Sequence, residues 1–137
     1  MIRYVRHSDI DLAAWDARLE RCANKLWYGS SAVLSTAAPC WDALIDDEAD
    51  AQMALPWRKK FGITYAYQPF LLQQLGPFAA HPSPADTARF IAALPPHIRF
   101  ADIYLCPGIP APPALTEQQN ITFSLKEPID ALRKRYS

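Results

Sequence analysis

Polar side chains that could bind or orient a ligand are concentrated between residues 51 and 78, within otherwise apolar sequence. The members of this group are Tyr65, Tyr67, Gln68, Gln73 and Gln74. Phenols and amides that are buried in a sheet need hydrogen-bond partners, because an unsatisfied buried polar group destabilises the fold. Such side chains either form a structural network or line a pocket, and the sequence supports both interpretations about equally.

The common metal, nucleophile and phosphate motifs are absent from the sequence. The three histidines lie in separate segments without a second ligand at metal-binding spacing, at His7, His81 and His97. Cys22 falls on an apolar helical stripe and Cys106 in an apolar strand pattern, which favours packing over reactivity; Cys40 stays undetermined. There is no Gly-x-Ser-x-Gly elbow, P-loop or dinucleotide fingerprint. We therefore expect no bound metal and assign no catalytic residue.

Two charged runs lie close to the polar group. Residues 46–50, Asp-Asp-Glu-Ala-Asp, could bind a cation, but they lack the alternating ligands and central glycine of a calcium loop, so an exposed hairpin turn is favoured. Residues 57–60, Trp-Arg-Lys-Lys, could bind phosphate or nucleic acid, but a solvated hairpin tip is favoured. Because the formal net charge is zero, few phosphate contacts are available, and we expect no nucleic-acid partner.

The composition is that of one folded domain. The chain has 137 residues, half of them hydrophobic, and a domain of this size buries about two thirds of its unfolded surface. Three widely spaced cysteines fit a reducing compartment. The first residues lack the apolar core of a signal peptide, and no apolar run approaches the roughly 20 residues of a membrane helix. We expect a cytoplasmic protein without a membrane partner.

Hydrophobic periodicity predicts an α+β fold. The predicted strands cover residues 2–7, 41–46, 53–55, 63–68, 101–106 and 121–125, with a further extended segment at 71–78. Helices are predicted from Leu12, with Ser8, Asp9 and Asp11 as cap candidates, from Ser83 as cap and from Pro128, and residues 24–39 are predicted as a short helix or loop. Consecutive strands pair antiparallel, and the intervening helices cover the faces of the sheet.

One hairpin is predicted in detail. The link between its strands ends in Phe61 and Gly62, where glycine can take the positive φ that a tight turn needs. Pro56 has no N–H to donate, so we expect it at a strand end, an edge or a bulge.

Four segments carry a pattern that is found in a known family. They are WDALID at 41–46, MALPWRKKFGITYAYQP at 53–69, QQLGPF at 73–78 and DALRKRYS at 130–137. Together they resemble the first lobe of a two-lobed acyltransferase of the GNAT superfamily, close to its FemABX-like branch, over most of the chain. The resemblance implies a mixed, mostly antiparallel sheet flanked by helices, with residues 1–137 as a single GNAT-like domain. It also implies that residues 126–137 begin the connection to a second lobe.

The cofactor loop of that family is not reproduced. Such lobes bind the pyrophosphate of coenzyme A with a [Gln/Arg]-x-x-Gly-x-[Gly/Ala] loop at a helix N-terminus. The corresponding residues 73–78 read Gln-Gln-Leu-Gly-Pro-Phe, in which Pro77 removes a donor and Phe78 would crowd the phosphate. We therefore expect that this lobe binds no coenzyme A and is inactive alone, while acetyl-coenzyme A or another acyl donor serves the whole enzyme.

The resemblance implies transfer of an acyl or aminoacyl group to an amine by that larger enzyme. The residues expected to line a groove toward the second lobe or the amine acceptor are Trp57, Arg58, Tyr67, Gln68, Gln73 and Gln74. The alternative function is a non-catalytic GNAT-like binding or dimerisation module. The expected partner is accordingly a second GNAT-like lobe or another copy of the chain, and a reading frame that continues past Ser137 into a second lobe would favour the enzyme.

Overall fold

The computed structural model describes residues 1–106 together with Ala131 and Lys134. This part of the chain folds into six strands and three α-helices, and short 3-10 turns precede α1 and α2. In chain order the elements are β1 (Ile2–Val5), α1 (Leu12–Arg21), α2 (Ser31–Ala37), β2 (Trp41–Asp46), β3 (Ala51–Lys60), β4 (Ile63–Tyr67), β5 (Phe78–Ala79), α3 (Pro84–Ala92) and β6 (Ile98–Asp102). The predicted α+β class is confirmed for these residues.

The strands form one mostly antiparallel sheet with the order β1-β2-β3-β4-β6. β1, β2, β3 and β4 pair antiparallel with their neighbours, and β6 pairs parallel to β4. The two-residue β5 pairs with the start of β3. A parallel neighbour requires a crossover, and α3 lies on the connection from β4 to β6.

Helices cover both faces of the sheet. Trp15 of α1 and Leu34 of α2 pack against Trp41 on one face. Phe90 of α3 packs against Leu44 on the other face. Side chains of a strand alternate between faces, and β2 is buried along its whole length because both of its faces carry a core.

Both long helices begin at the caps that the sequence predicts. The Asp11 carboxylate accepts a hydrogen bond from the N–H of Ala14 at 3.0 Å, and Arg18 and Arg21 lie in the last turn of α1. Ser83 and Asp86 form a complete capping box at the start of α3. These contacts satisfy N–H groups that the first turn of a helix leaves without a partner, so the start of each helix is encoded locally.

Pro56 lies inside β3, opposite Trp41, rather than at the end of a strand. The N–H of Ala54 points away from β2 and donates to the carbonyl of Leu75, whereas the N–H of Trp57 donates to Cys40 on the β2 side. By this alternation the nitrogen of Pro56 faces away from β2, where β3 changes its neighbour from residues 75–79 to β4. The missing donor therefore falls between two hydrogen-bond ladders.

The turn between β3 and β4 is shorter than predicted, because Arg58, Lys59 and Lys60 belong to β3 rather than to the link. Phe61 and Gly62 both have positive φ, of 50° and 78°. Two consecutive positive φ values in a two-residue loop are those of a type I′ turn, whose twist suits a hairpin.

Two strand predictions need correction. Of residues 71–78, predicted as extended throughout, only the end reaches a strand, β5. Gln73 and Gln74 lie outside the sheet because a turn intervenes: the N–H of Leu72 donates to the carbonyl of Pro69, and the Gln68 amide donates to the carbonyl of Leu72. The polar side chains of this stretch therefore do not line a central strand.

The strand predicted at residues 101–106 begins earlier, at Ile98, and ends at Asp102. β4 is short, and on the edge away from β3 it pairs with residues 98–102 only. The residues that follow still alternate because Ile103 and Leu105 pack on the core, and Cys106 donates its N–H to the carbonyl of Gly76. The alternation thus reports burial beyond the end of the strand. The strand predicted at 121–125 lies outside the described residues; of the closing helix, Ala131 and Lys134 are described, and both are helical.

Candidate functional site

An open pocket of about 560 Å³ lies on the α3 side of the sheet, beside the turn that follows α3. Tyr4 and Asp42 belong to neighbouring strands and point to the same face as Leu44. Arg6 and His7 come from the turn after β1, Trp57 from β3, and His97 from the residue before β6. Five separate segments thus bring titratable and aromatic side chains to one concavity.

A buried carboxylate and a phenol form the base of the pocket. The hydroxyl of Tyr4 donates to Oδ2 of Asp42 at 2.6 Å, and the backbone N–H of His7 donates to Oδ1 at 2.8 Å. Asp42 is only 5% exposed, so these two bonds offset much of the cost of burying its charge. Burial and the hydrogen bond to Asp42 raise the pKa of Tyr4 far above its usual range, which keeps the phenol neutral.

His97 lies against the rim of this pair. Its Nε2 is 3.4 Å from the hydroxyl oxygen of Tyr4, and the two rings meet edge to face at 5.4 Å. Because the single hydroxyl hydrogen of Tyr4 goes to Asp42, this contact favours the tautomer in which Nε2 donates. In that tautomer, Nδ1 of the exposed ring carries a lone pair.

Of the predicted site residues, Trp57 is the one that lines this pocket. Its indole Nε1 is buried without a hydrogen-bond partner in the described part of the chain. Arg58 is the next residue of β3 and therefore points to the opposite face. There its guanidinium lies 4.2 Å from the ring centre of Tyr67, a cation–π contact. Trp57 and the Arg58–Tyr67 pair thus lie on different sides of the sheet.

The predicted glutamines are not brought together with these residues. Gln68 braces a loop, because its amide donates to the carbonyl of Leu72 at 2.7 Å and accepts the N–H of Tyr104 at 2.8 Å. Gln73 is exposed and accepts the hydroxyl of Tyr28 at 3.2 Å. Gln74 is half-buried on the same loop. Gln68 and Gln73 therefore support the loop in the way expected of a structural network.

Gly76 lies in a narrow slot between two backbone segments. The carbonyl of Leu75 accepts from β3, and the carbonyl of Gly76 accepts from Cys106. A Cβ on Gly76 would lie 3.1 Å from the carbonyl oxygen of Gln52, and the φ of 116° also favours glycine. The glycine therefore serves close backbone packing, and the residues around it present a sheet-like ladder rather than an open phosphate cradle.

The acidic run after β2 is a turn, as predicted, and its carboxylates bind arginines. Asp47 pairs with Arg3 and Arg18, and Asp50 pairs with Arg21. Hydrogen bonds from Arg3 and Arg18 lower the pKa of Asp47 to about 2. These carboxylates therefore join the turn to β1 and α1.

The cysteines are separate thiols, and two of them are buried. Burial raises the pKa of Cys22 to about 11 and that of Cys106 to about 12, so both stay protonated at neutral pH. The packing role predicted for these two residues is confirmed, and Cys40 is exposed.

Sequence reasoning missed Tyr4, Asp42 and His97 as a group. Tyr4 and Asp42 are 38 residues apart and Tyr4 and His97 are 93 residues apart, so no local spacing connects them. The sequence gives one signal of this group, which is a polar residue within an otherwise apolar strand. It applies to Asp42 in Trp-Asp-Ala-Leu-Ile-Asp.

Within residues 1–106, Ala131 and Lys134, no group of three or more His, Cys, Asp or Glu side chains could hold a metal ion. No helix in the same part of the chain has the length and apolar character to cross a membrane. No protein-family model, curated protein or solved structure matches the chain.

Proposed function

We propose that this chain is the acceptor-binding lobe of a GNAT-like N-acyltransferase and that the amine acceptor binds in the pocket beside His97. The observation that carries the proposal is an exposed imidazole held against a neutral phenol and a buried carboxylate, in an open pocket with Trp57 in its wall. The resemblance of residues 41–78 to such lobes adds the reaction class.

The chemistry requires a base. An amine is protonated in water near neutral pH, and it attacks an acyl carbon only after it has lost a proton. His97 accepts that proton, the amine nitrogen bonds to the acyl carbon, and the bond from that carbon to the donor breaks, while the second proton of the nitrogen passes to the departing donor group. Tyr4, which Asp42 holds in place, contacts Nε2 of the ring, and Nδ1 has no part in that contact. The acyl donor is bound elsewhere in the whole enzyme, because residues 73–78 form packed backbone.

The activity test uses the protein translated from the complete reading frame, with acetyl-coenzyme A and a panel of primary amines. We expect release of free coenzyme A that falls about a hundredfold or more in His97→Gln, because a general base contributes that much to the rate. His81→Gln is the matched control, since His81 is exposed and outside the pocket. Equal activity of the two variants would reject His97 as the base.

A thermal-shift experiment tests the assignment of the donor to another part of the enzyme. A ligand at a hundredfold its dissociation constant adds about 2.7 kcal/mol of stability. We expect saturating acetyl-coenzyme A to leave the melting temperature of the 137-residue chain unchanged. A clear rise would give this lobe its own cofactor site and contradict the proposal.

The second candidate function is a module that binds another copy of itself. Exposed apolar side chains favour it: Phe70 is 99% exposed, Leu71 is 67% exposed and Trp27 is 63% exposed. The hydrogen bond between Tyr28 and Gln73 brings the segments that carry them together. Sedimentation equilibrium over a range of concentrations tests it: self-association that Phe70→Ser and Leu71→Ser abolish supports the module, and a monomer at all concentrations rejects it.

A further inference from the structure

We infer that the pocket binds an anionic group, a carboxylate or a phosphate, on the same molecule that presents the amine. The part of this inference that concerns the amine rests on the proposed function, whereas the binding of the anionic group does not. Its basis is Arg6, which lines the pocket, acts electrostatically on Tyr4 at its base, and forms no ion pair with any carboxylate in the described part of the chain.

Most of the other arginines in the described part of the chain have a partner, and Arg99, which lies outside the pocket, is the exception. Carboxylates pair with Arg3, Arg18, Arg21 and Arg89. Arg58 lies over an aromatic ring instead. Asp9 is three residues from Arg6, yet it accepts a hydrogen bond from Ser8 rather than from the guanidinium. Arg6 is thus a cation left without a counter-ion beside a concave surface.

The backbone around Arg6 is fixed. The carbonyl of Arg6 accepts the N–H of Asp9 at 2.9 Å, and the N–H of His7 donates to Asp42. The ring of His7 also packs edge to face on Trp41, 5.0 Å between centres. The side chains of Arg6 and His7 therefore project from an ordered turn, so little backbone entropy is lost when they bind a ligand.

The pocket is richer in donors than in acceptors. Its donors without a hydrogen-bond partner in the described part of the chain are the guanidinium of Arg6, the ring of His7 and the hydroxyl of Thr64. Its one carboxylate, Asp42, already accepts a bond on each oxygen and is nearly inaccessible. A ligand that supplies acceptor oxygens and negative charge matches this arrangement, and a planar guanidinium binds carboxylate and phosphate oxygens in pairs.

The inference therefore names the acceptor as an amine that carries its own acidic group. Arg6 and His7 bind the acidic end, and His97 receives the proton from the amine end. An amine without an acidic group would lack the contact to Arg6.

The test titrates the 137-residue chain, labelled with ¹⁵N-histidine, with inorganic phosphate and separately with succinate at constant ionic strength. We expect saturable shifts of the His7 and His97 ring nitrogens with at least one of the two anions; the stronger anion identifies the acidic group. Arg6→Gln should weaken that binding about tenfold or more, because it removes a charge-assisted hydrogen bond. Arg99→Gln is the matched control: Arg99 is also exposed, but Ile98 before it packs on the α3 side, so Arg99 points away from the pocket.

Absence of saturable shifts with both anions overturns the inference, and so does equal weakening by the two arginine variants. A far-UV circular dichroism melt of each variant shows that it is folded. Because these titrations contain no amine and no acyl donor, saturable binding together with a failed acyl-transfer assay rejects only the proposed function. Acyl transfer that is equally fast to glycinamide and to glycine would reject only the inference about the acidic group.

Discussion

At the scale of single residues, the pocket depends on a carboxylate that the fold encloses. Asp42 lies between Trp41 and Ala43 on a strand buried on both faces, and it keeps its place through one phenol and one backbone N–H. Removal of either donor leaves a buried acceptor with one bond fewer, which costs more than the bond itself is worth in water. The hydrogen bonds to Asp42 therefore contribute both to the stability of the fold and to the geometry of the pocket.

Tyr4→Phe should lower the free energy of unfolding by about 1–3 kcal/mol, because it removes the hydroxyl that donates to buried Asp42. Tyr28→Phe is the control, since its hydroxyl bonds to the exposed Gln73, and it should change stability by less than about 0.5 kcal/mol. Urea unfolding of both variants measures the difference. Equal losses would mean that burial of Asp42 does not depend on Tyr4.

At the scale of elements, the hairpin of β3 and β4 carries a local conflict. Phe61 has a positive φ of 50° and is 90% exposed, so it has neither a favourable backbone conformation nor a buried side chain. The following Gly62 has no such conflict. The turn type is therefore set by the pairing of the strands and by glycine, and not by Phe61.

Phe61→Asn should raise the melting temperature, since asparagine tolerates positive φ and Asn-Gly is the preferred pair for a type I′ turn. The gain should be about 0.5–1 kcal/mol. Phe61→Ala removes the exposed ring without relieving the backbone, so it should give little or no gain. If the two variants melted alike, the benefit would come from loss of the ring alone.

The difference between contacts within a few residues and contacts between distant segments explains what could be predicted from the sequence. The caps at Asp11 and Ser83 and the turn at Gly62 act within a few residues: the cap at Ser83 and the positive φ at Gly62 were predicted, and Asp11 was one of the three cap candidates Ser8, Asp9 and Asp11. β6 was misplaced because its boundaries follow from parallel pairing with β4, a partner more than thirty residues away along the chain. The pocket was missed for the same reason, since its members meet only after β1, β2 and the turn after α3 have come together.

Among the predicted site residues, the type and burial of a residue predicted its role better than its closeness in the sequence to other site residues. Trp57 lines the pocket, whereas Arg58, next to it, lies on the other face. Gln68 and Gln73 were correctly predicted as polar groups that need partners, and they have them within the loop. Which of these residues would reach a pocket depended on strand register and on the turn at Pro69, neither of which the local pattern contains.

At the scale of the whole molecule, one set of charges joins three layers. Asp46 is fully buried and pairs with Arg89 of α3, while Asp47 and Asp50 of the following turn pair with Arg18 and Arg21 of α1. Burial of Asp46 opposes its ionisation, but hydrogen bonds from Arg89 and Ala49 outweigh it and lower its pKa. The pKa values of Asp47 and Asp50 are lowered mainly by hydrogen bonds from arginines.

Stability should therefore fall on acidification. The three carboxyls have lower pKa values in the folded chain than in the unfolded chain, so their contribution is complete above about pH 4 and is lost as pH falls toward about 2, the folded pKa of Asp47. The melting temperature between these pH values measures the loss. Asp47→Asn should make the decline shallower, and a decline as steep as that of the unaltered chain would show that Asp47 contributes little.

The proline inside β3 marks where the strand exchanges one neighbour for the next. Because Pro56 has no hydrogen to donate, β3 can place it only where no acceptor waits, on the side that carries residues 75–79 and then β4. A slip of one residue by β4 would turn Thr64 away from the pocket and Tyr65 toward it. A single imino acid thus acts as an index mark along the strand, at the point from which β4 must be aligned for Thr64 to share the pocket wall with Trp57.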